Sequence, residues 1–445
     1  VDVYQLCKGL SEMNFSSHMN AAGLRGVIVA AWAIVATVSS VSCEKDHTDD
    51  PDEPVSYTLT QSRSAKRGVS FNFGTLPDTD IPLLGDAVCW SYDWSNRLPS
   101  STTEAFFREY EMDWCPMAWN GNYSSDNIRT WKREHPEAQY ILAFNEPNLT
   151  DQARMTPAEA AALWPDLVAL SKETGMKLIS PAMNYGTLEG YHDPIVWLDE
   201  FFAQPGVSLD DIAGIAVHCY MPSAGSVKNF IDMFEKYGKP VWLTEFCNGN
   251  SNNISATTQL HYMCETLNML EAHPNVFRYA WFMPRGSFNS RWNNNLLTSS
   301  APFGLTDLGK VFVNFSTFDG SIFYGPGDII PAEQYISASG KVHLAPSTDG
   351  GILDISELCK DAYVEYQLDM PDAGTRRLTL RFQTYMESSL AVSVNGTQIA
   401  AKTLASTEKA WKTAGFDIDL PAGKSTLRLT GTSGATIMLN WLQIK

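Results

Sequence analysis

The sequence has little that would tie it to nucleic acid, a metal centre or a disulfide scaffold. Lysine and arginine number 32 against 50 acidic residues, which gives a net charge of −18. No basic stripe offers the counterion release on which nucleic-acid binding relies. The eight cysteines form no CxxC pair and no framework spacing, so neither a zinc site nor a set of disulfides is indicated. This composition favours a neutral polymer or a small molecule as the partner.

Near the start of the sequence, an apolar run at residues 27–38 is too short to span a bilayer comfortably but has the length of a signal-peptide core. Small residues lead from it to Cys43, a pattern that resembles a bacterial lipoprotein signal, although Ser40 stands where that motif usually has leucine. The resemblance implies an export region at 1–43, lipidation of Cys43 and contact with a membrane only through the lipid anchor. An acidic linker follows at 44–66. We expect an exported protein, either a cell-surface or periplasmic lipoprotein or a secreted product.

The middle of the sequence alternates short apolar strands with amphipathic helices. The strand candidates are residues 68–73, 87–92, 112–117, 140–144, 177–181, 212–218, 241–245 and 276–282. Eight strand-helix units in about 250 residues are typical of a (β/α)8 TIM barrel, an α/β fold, which we place at 67–315. A doubly wound open sheet is the competing architecture, but no glycine-rich phosphate loop follows the first strand.

After residue 315 the sequence pattern changes from strands that alternate with helices to strands alone. Six segments, at 363–370, 377–382, 390–394, 416–420, 425–429 and 436–444, alternate apolar with polar side chains. The pair Asn395-Gly396 is a two-residue hairpin signal. These features predict an antiparallel β-sandwich at 328–445, joined to the barrel by a linker at 316–327 that contains glycine and proline.

Two of the barrel strands end on a glutamate. Residues 140–144 run into Asn145-Glu146-Pro147, and residues 241–244 run into Glu245. A barrel presents its working groups at the carboxyl ends of its strands. Glycosidic cleavage with retention needs one protonated carboxyl and one ionised carboxylate about 5–5.5 Å apart, and it needs no cofactor. The pattern therefore predicts a glycosidase, although a rim salt bridge or a helix cap is the ordinary role of such a glutamate.

Polar and aromatic residues near the two glutamates strengthen this prediction. His218 and Tyr220 close the sixth strand, where they can orient Glu245 or tune its charge, and Asn145 is placed to bind a sugar hydroxyl. Trp281, at the end of the eighth strand, could form the floor of a sugar subsite. The predicted aromatic rim consists of Trp90, Tyr92, Trp94 and Trp119. A buried core role remains the alternative for any one of these tryptophans and for His218.

An ordered set of motifs resembles glycoside hydrolase family 128, clan A barrels that hydrolyse β-1,3-glucans with retention. The motifs are VCWSYDW (88–94), CPMAWN (115–120), FNEPN (144–148), LISPAMN (178–184), IAVHCY (215–220), VWLTEFC (241–247), YAWF (279–282) and LTDLGKVF (305–312). The resemblance implies that Glu146 is the general acid/base and Glu245 the nucleophile. It implies that the sugar-contacting groups are Asn145, Asn184, His218, Tyr220 and Trp281.

The C-terminal region resembles a family 6 carbohydrate-binding module. The matching stretches are IPAEQY (330–335), DAYVEYQLDMPDAG (361–374), FDIDLPAGKSTLRL (416–429) and LNWLQI (439–444). The resemblance implies that Trp411 stacks on sugar and that Glu333 binds a structural calcium, although Asn440 replaces an expected aspartate. Glu357 and Met438 stand where that family has sugar-contacting residues, so a spacer that packs on the barrel is the alternative.

The leading prediction is a monomeric endo-β-1,3-glucanase that acts on laminarin- or curdlan-type β-glucan, whether polysaccharide or oligosaccharide. A second prediction keeps the barrel and both glutamates but changes the polymer to another β-glycan, such as mixed-linkage glucan or xylan. The third is a glycan-binding lipoprotein without catalytic activity. The presence of both Glu146 and Glu245 favours catalysis over capture alone.

Overall fold

The computed structural model describes residues 63–286, 289–433 and 435–445. The predicted export region, with Cys43, and residues 44–62 of the predicted linker lie outside this part of the chain. No helix in the described ranges combines the length and the apolar character needed to cross a bilayer.

Eight parallel strands form the first sheet. They are β1 (Arg67–Ser70), β2 (Trp90–Tyr92), β3 (Asp113–Trp114), β4 (Tyr140–Leu142), β5 (Lys177–Ile179), β6 (Ile212–Cys219), β7 (Val241–Phe246) and β8 (Val276–Trp281). Each overlaps one predicted segment. The order β3-β2-β1-β8-β7-β6-β5-β4 curls the sheet, because β1 pairs with both β2 and β8. A parallel bridge between Met117 and Leu142 links its two ends, an arrangement consistent with a TIM-like barrel.

Helices follow the strands. They are α1 (Pro77–Leu84), α2 (Ser101–Glu109), α3 (Ser125–Glu134), α4 (Pro157–Thr174), α5 (Pro194–Phe202), α6 (Ala224–Asp232), α7 (Ala256–Ala272), α8 (Asn289–Trp292) and α9 (Asp307–Asn314). The longest, α4, begins with a capping box between Thr156 and Glu159 and ends at Gly175 in the left-handed conformation. These local signals set the helix boundaries, while apolar faces such as Trp164 and Leu167 pack α4 onto the sheet.

Large indole side chains fill the barrel interior because glycines face them. A Cβ on Gly68 would lie 2.3 Å from Nε1 of Trp90, and a Cβ on Gly214 would lie 2.6 Å from the indole of Trp242. The Trp90 ring is fully buried, and its Nε1 donates to the Lys66 carbonyl at 3.1 Å. The prediction that placed Trp90 in an exposed rim is therefore wrong, since its side chain points into the barrel core.

Two antiparallel sheets follow the barrel. Their strands are β9 (Ile329–Pro331), β10 (Ser337–Ser339), β11 (Val342–Pro346), β12 (Leu353–Leu358), β13 (Tyr363–Met370), β14 (Gly374–Gln383), β15 (Ser388–Val394), β16 (Thr397–Leu404), β17 (Lys412–Leu420), β18 (Gly423–Gly431) and β19 (Ile437–Ile444). One sheet has the order β10-β13-β18-β15-β16 and the other β11-β12-β19-β14-β17, with β9 paired to β19. The predicted hairpin turn is present: Val394 pairs with Thr397, and Asn395 and Gly396 both have positive φ.

Buried polar contacts join the barrel to the C-terminal sheets along α7. His343 lies 2.8 Å from Glu265 of α7 through Nε2 and 2.7 Å from Glu357 of β12 through Nδ1. The Tyr335 hydroxyl donates to Oδ1 of Asn268 at 2.9 Å. Buried polar groups are costly to separate from their partners, so these contacts hold the two parts together.

Replacing Gly68 with alanine should destabilise the barrel, because the new Cβ would overlap the Trp90 indole. Overpacking of this kind costs about 1–3 kcal/mol of unfolding free energy, measurable by urea denaturation. Gly225 of α6 is the matched control, since a Cβ there meets nothing within 4 Å. Equal stability of the two alanine variants would contradict this packing explanation.

Candidate active site

Glu146 and Glu245 lie at the carboxyl ends of parallel strands, as predicted from their positions. Glu146 follows β4 with φ 43°, and its N–H donates to the Ala182 carbonyl at 3.0 Å. Glu245 lies within β7, paired in register with His218 of β6. Both glutamates are more than nine-tenths buried. A buried carboxylate needs donors or a cation nearby, and the neighbouring strands supply both.

His218 lies between the two glutamates. Its Nδ1 is 3.0 Å from Oε1 of Glu146, and its Nε2 is 3.6 Å from Oε1 of Glu245. The ring is completely buried. Burial by itself lowers the pKa of His218, but the two carboxylates outweigh this effect and raise its pKa above the usual value. One imidazole thus brings the two acidic side chains into one pocket and favours the state in which it is charged.

Three hydrogen-bond donors surround the carboxylate of Glu245. Trp94 donates through Nε1 at 2.8 Å and Tyr92 through its hydroxyl at 3.1 Å, both to Oε1, and the Tyr220 hydroxyl donates to Oε2. Burial raises the pKa of Glu245, while the charge of His218 and the hydrogen bonds from Tyr220 and Trp94 lower it in part. Donors aimed at both oxygens stabilise the ionised form and fix its orientation.

The carboxyl of Glu146 has a different second partner, an amide side chain. Asn184 donates through Nδ2 to Oε1 of Glu146 at 3.0 Å. Asn145 donates to Gln152 at 3.2 Å, while its own Oδ1 is buried and has no hydrogen-bond partner among the described residues. An unpartnered buried amide oxygen in the residue that precedes Glu146 is suited to accept a hydroxyl of a bound ligand.

The predicted aromatic residues fall into two groups. Trp94 and Trp119 are partly exposed and line an open groove of about 480 Å³ with Asn96, Arg97 and Asn120. Rings and amides together are the usual lining of a sugar subsite. Tyr92 is enclosed, and it contacts Glu245 instead of the rim.

Trp281 does not form the floor of a subsite, which corrects that prediction. Its ring is fully buried against Phe246 and Phe312, and its Nε1 donates to the Asn294 carbonyl at 2.8 Å. Strand alternation turns Trp281 outward, towards the helices. The next residue, Phe282, which sequence reasoning missed, contacts Trp94 and Tyr220 with ring centroids 5.9 and 5.5 Å away. The same alternation applied to YAWF could have identified it.

The C-terminal residues that were predicted to bind ligands lie apart from this pocket. Trp411 is partly exposed and donates to Thr348 at 3.1 Å. Glu333 and Asn440 are both fully buried, and the Asn440 side-chain oxygen has no partner among the described residues. Carboxylate and amide oxygens of this kind are ligands that Ca²⁺ accepts.

Two histidines and a glutamate place potential metal ligands close together. His261, His343 and Glu357 have ligand atoms within 4.8 Å of one another. The two rings stack 3.8 Å apart and nearly parallel, and both nitrogens of His343 already contact carboxylates. A metal lies in the plane of each imidazole that binds it, so parallel stacked rings do not suit one shared ion. We assign this group to the contact between α7 and the C-terminal sheets.

Comparison with known proteins identifies the barrel. Residues 68–312 match the family model for a glycosyl hydrolase catalytic core. The chain belongs to the glycosyl hydrolase catalytic core family. The matched residues of this catalytic core begin in β1 and end in α9, and they include Glu146, His218 and Glu245.

Individual relatives match a little over half of the chain. An endo-β-1,3-glucanase of glycoside hydrolase family 128, subgroup II, from Pseudomonas viridiflava is 37% identical with a TM-score of 0.51, and covers 56% of this chain and 98% of that one. A subgroup II enzyme of the same description from Sorangium cellulosum is 32% identical with a TM-score of 0.49, covering 56% and 97%. Alkali-sensitive linkage protein 1 of Schizosaccharomyces pombe is 24% identical over 57% of this chain, and the match spans 45% of that protein's length.

Asp93, another residue that the sequence analysis missed, gives a pH-dependent prediction. It lies between Tyr92 and Trp94, and burial raises the pKa of its carboxyl to about 7 despite the hydrogen bond from Trp114. A carboxyl whose pKa is raised on folding contributes stability below its unfolded pKa of about 3.9, and this contribution is lost as the pH rises towards 7. Asp93→Asn should therefore gain stability relative to wild type between pH 4 and 8, by on the order of 4 kcal/mol at most.

Urea unfolding at a series of pH values measures this difference. Gly225→Ala, which changes no titratable group, serves as the control. Its stability should differ from that of wild type by an amount that does not vary with pH. A constant difference between Asp93→Asn and wild type would show that Asp93 does not titrate in this range.

Proposed function

We propose that the protein is a retaining glycoside hydrolase that cleaves β-1,3-glucosidic bonds within glucan chains. The observation that carries the proposal is the contact of one buried imidazole, His218, with both Glu146 and Glu245. The 37% identity to an endo-β-1,3-glucanase of glycoside hydrolase family 128 supports the choice of substrate. The open groove beside Trp94 and Trp119 supports cleavage within a glucan chain, because an open groove can hold more than one glucosyl unit.

In the first step, Glu146 gives its proton to the glycosidic oxygen while the Glu245 carboxylate attacks the anomeric carbon. The bond from that carbon to the leaving oxygen breaks, and a glycosyl ester to Glu245 forms. In the second step, Glu146 takes a proton from a water molecule, whose oxygen attacks the anomeric carbon. The ester bond to Glu245 breaks, which releases the sugar and restores the Glu245 carboxylate. Trp94, Tyr92 and Tyr220 hold the attacking carboxylate, while Asn184 orients the acid.

His218 serves this scheme through its charge. In the resting enzyme its charge stabilises the Glu245 carboxylate. In the glycosyl-enzyme, where Glu245 is an ester, it stabilises the Glu146 carboxylate that then takes the proton from water. No cofactor takes part in either step of the proposed reaction.

We propose a supporting role for the C-terminal region. The two antiparallel sheets would pack as a β-sandwich of the carbohydrate-binding type, with Trp411 available to a sugar ring. A calcium ion held by Glu333 and Asn440 would stabilise it. We further propose that the protein acts as a monomer after export, either free or anchored through a lipid on Cys43.

Amide substitutions of the two glutamates should have different effects on turnover. Glu245→Gln removes the nucleophile and should lower hydrolysis of laminarin by several orders of magnitude while glucan binding persists. Glu146→Gln should impair laminarin strongly but spare the first step with an activated aryl glycoside, whose leaving group needs no proton. The pre-steady-state burst of aryl release isolates the first step, while initial rates on laminarin and a binding assay measure the other effects.

The polymer screen that accompanies these variants includes laminarin, curdlan, mixed-linkage glucan and xylan. Reducing-end labelling of the products separates internal attack from chain-end attack. Substantial turnover by Glu245→Gln, or equal loss on both substrates in Glu146→Gln, would refute the assigned roles. Release of oligosaccharide only from xylan would refute the choice of polymer.

A further inference from the structure

The loop that follows β5 carries an exposed aromatic residue whose backbone is linked to the proposed acid. Tyr185 is 46% exposed. Its N–H donates to Oδ1 of Asn184 at 2.8 Å, and Nδ2 of the same Asn184 donates to Glu146 at 3.0 Å. A single amide therefore connects the backbone of Tyr185 to the carboxyl of Glu146.

This loop is fixed tightly to the segment that carries Glu146. The backbone N–H groups of Thr187 and Leu188 donate to the Asn148 carbonyl at 3.0 and 2.9 Å, and Asn148 donates through Nδ2 to the Asn184 carbonyl at 2.7 Å. A Cβ on Gly186 would lie 2.6 Å from the Asn148 carbonyl oxygen, so a glycine permits this close approach. The position of Tyr185 relative to Glu146 is consequently well defined.

Contacts with α6 and the turn after it support one part of the Tyr185 side chain. The ring centroid lies 5.3 Å from that of Phe230, tilted by 47°, and the hydroxyl lies 3.7 Å from the sulfur of Met233. The residue as a whole remains 46% exposed in the loop that follows the carboxyl end of β5. Such a ring loses little conformational entropy when a ligand packs on it.

We infer that Tyr185 binds the leaving group, by stacking on the glucosyl unit released when the bond is cleaved. This inference rests on the proposed function. Glu146 protonates the oxygen that departs with the leaving group, and Tyr185 belongs to the loop that contacts Glu146. In this scheme Trp94 lies on the other side of the scissile bond, because its Nε1 donates to the Glu245 carboxylate, which attacks the anomeric carbon. Apolar sugar faces pack on aromatic rings, and binding energy remote from the reacting atoms can lower the barrier.

Two substrates test this assignment. Laminarihexaose has glucosyl units on both sides of its scissile bonds, whereas β-laminaribiosyl fluoride has only fluoride as its leaving group. Tyr185→Ala should lower kcat/KM for laminarihexaose on the order of tenfold and leave kcat/KM for the fluoride unchanged. Tyr185→Phe, which keeps the ring, should match wild type on both substrates.

Phe277→Ala is the control for loss of an exposed aromatic ring. Phe277 is 40% exposed in β8, near the amino end of the strand. Its replacement by alanine should leave kcat/KM unchanged for both substrates. Unchanged hydrolysis of laminarihexaose by Tyr185→Ala would overturn the inference, as would equal losses on the two substrates. If the wild-type protein released neither sugar nor fluoride, the proposed function would fail, and this inference with it.

Discussion

The candidate site depends on one buried imidazole that contacts two buried carboxyl groups. His218 is fully enclosed, and Glu146 and Glu245 reach its two ring nitrogens from different strands. An ionised carboxylate at this depth would be poorly stabilised without a cation beside it. The pairing of β6 with β7 sets His218 beside Glu245, while the turn after β4 brings Glu146 to the opposite nitrogen.

The rest of the barrel keeps this arrangement rigid. Gly68 and Gly214 allow the indoles of Trp90 and Trp242 to fill the interior beneath the site. The contacts of α7 with His343 and Tyr335 hold the C-terminal sheets against the barrel. A fixed scaffold of this kind lets short loops place catalytic groups accurately.

Sequence patterns predicted the parts of the molecule that depend on local periodicity. The eight barrel strands and the Asn395-Gly396 turn follow from apolar runs and turn residues. Short strands such as β9 and β10 have too few residues to show a period, and they were missed. Glu146 and Glu245 could be found because each directly ends an apolar run.

Side-chain direction was harder to predict, because it depends on which face of a strand each residue occupies. Trp90 was predicted in the aromatic rim and Trp281 at the floor of a subsite, yet Trp90 fills the barrel and Trp281 packs under the helices. Phe282 was missed because alternation was not applied along YAWF, and Asp93 because its burial depends on neighbours distant in sequence, such as Trp114. The hydrogen bond from Asn184 to Glu146 likewise depends on the long-range pairing of β4 with β5.

The most direct test of the central claim is covalent trapping of the proposed intermediate. A 2-deoxy-2-fluoro-β-laminaribioside with an activated leaving group should label the wild-type protein once. Peptide mass spectrometry should then find the sugar on Glu245, and Glu245→Gln should remain unlabelled. A label on any other residue, or turnover to an inverted product without a label, would contradict the assignment of Glu245 as the nucleophile across the pocket from Glu146.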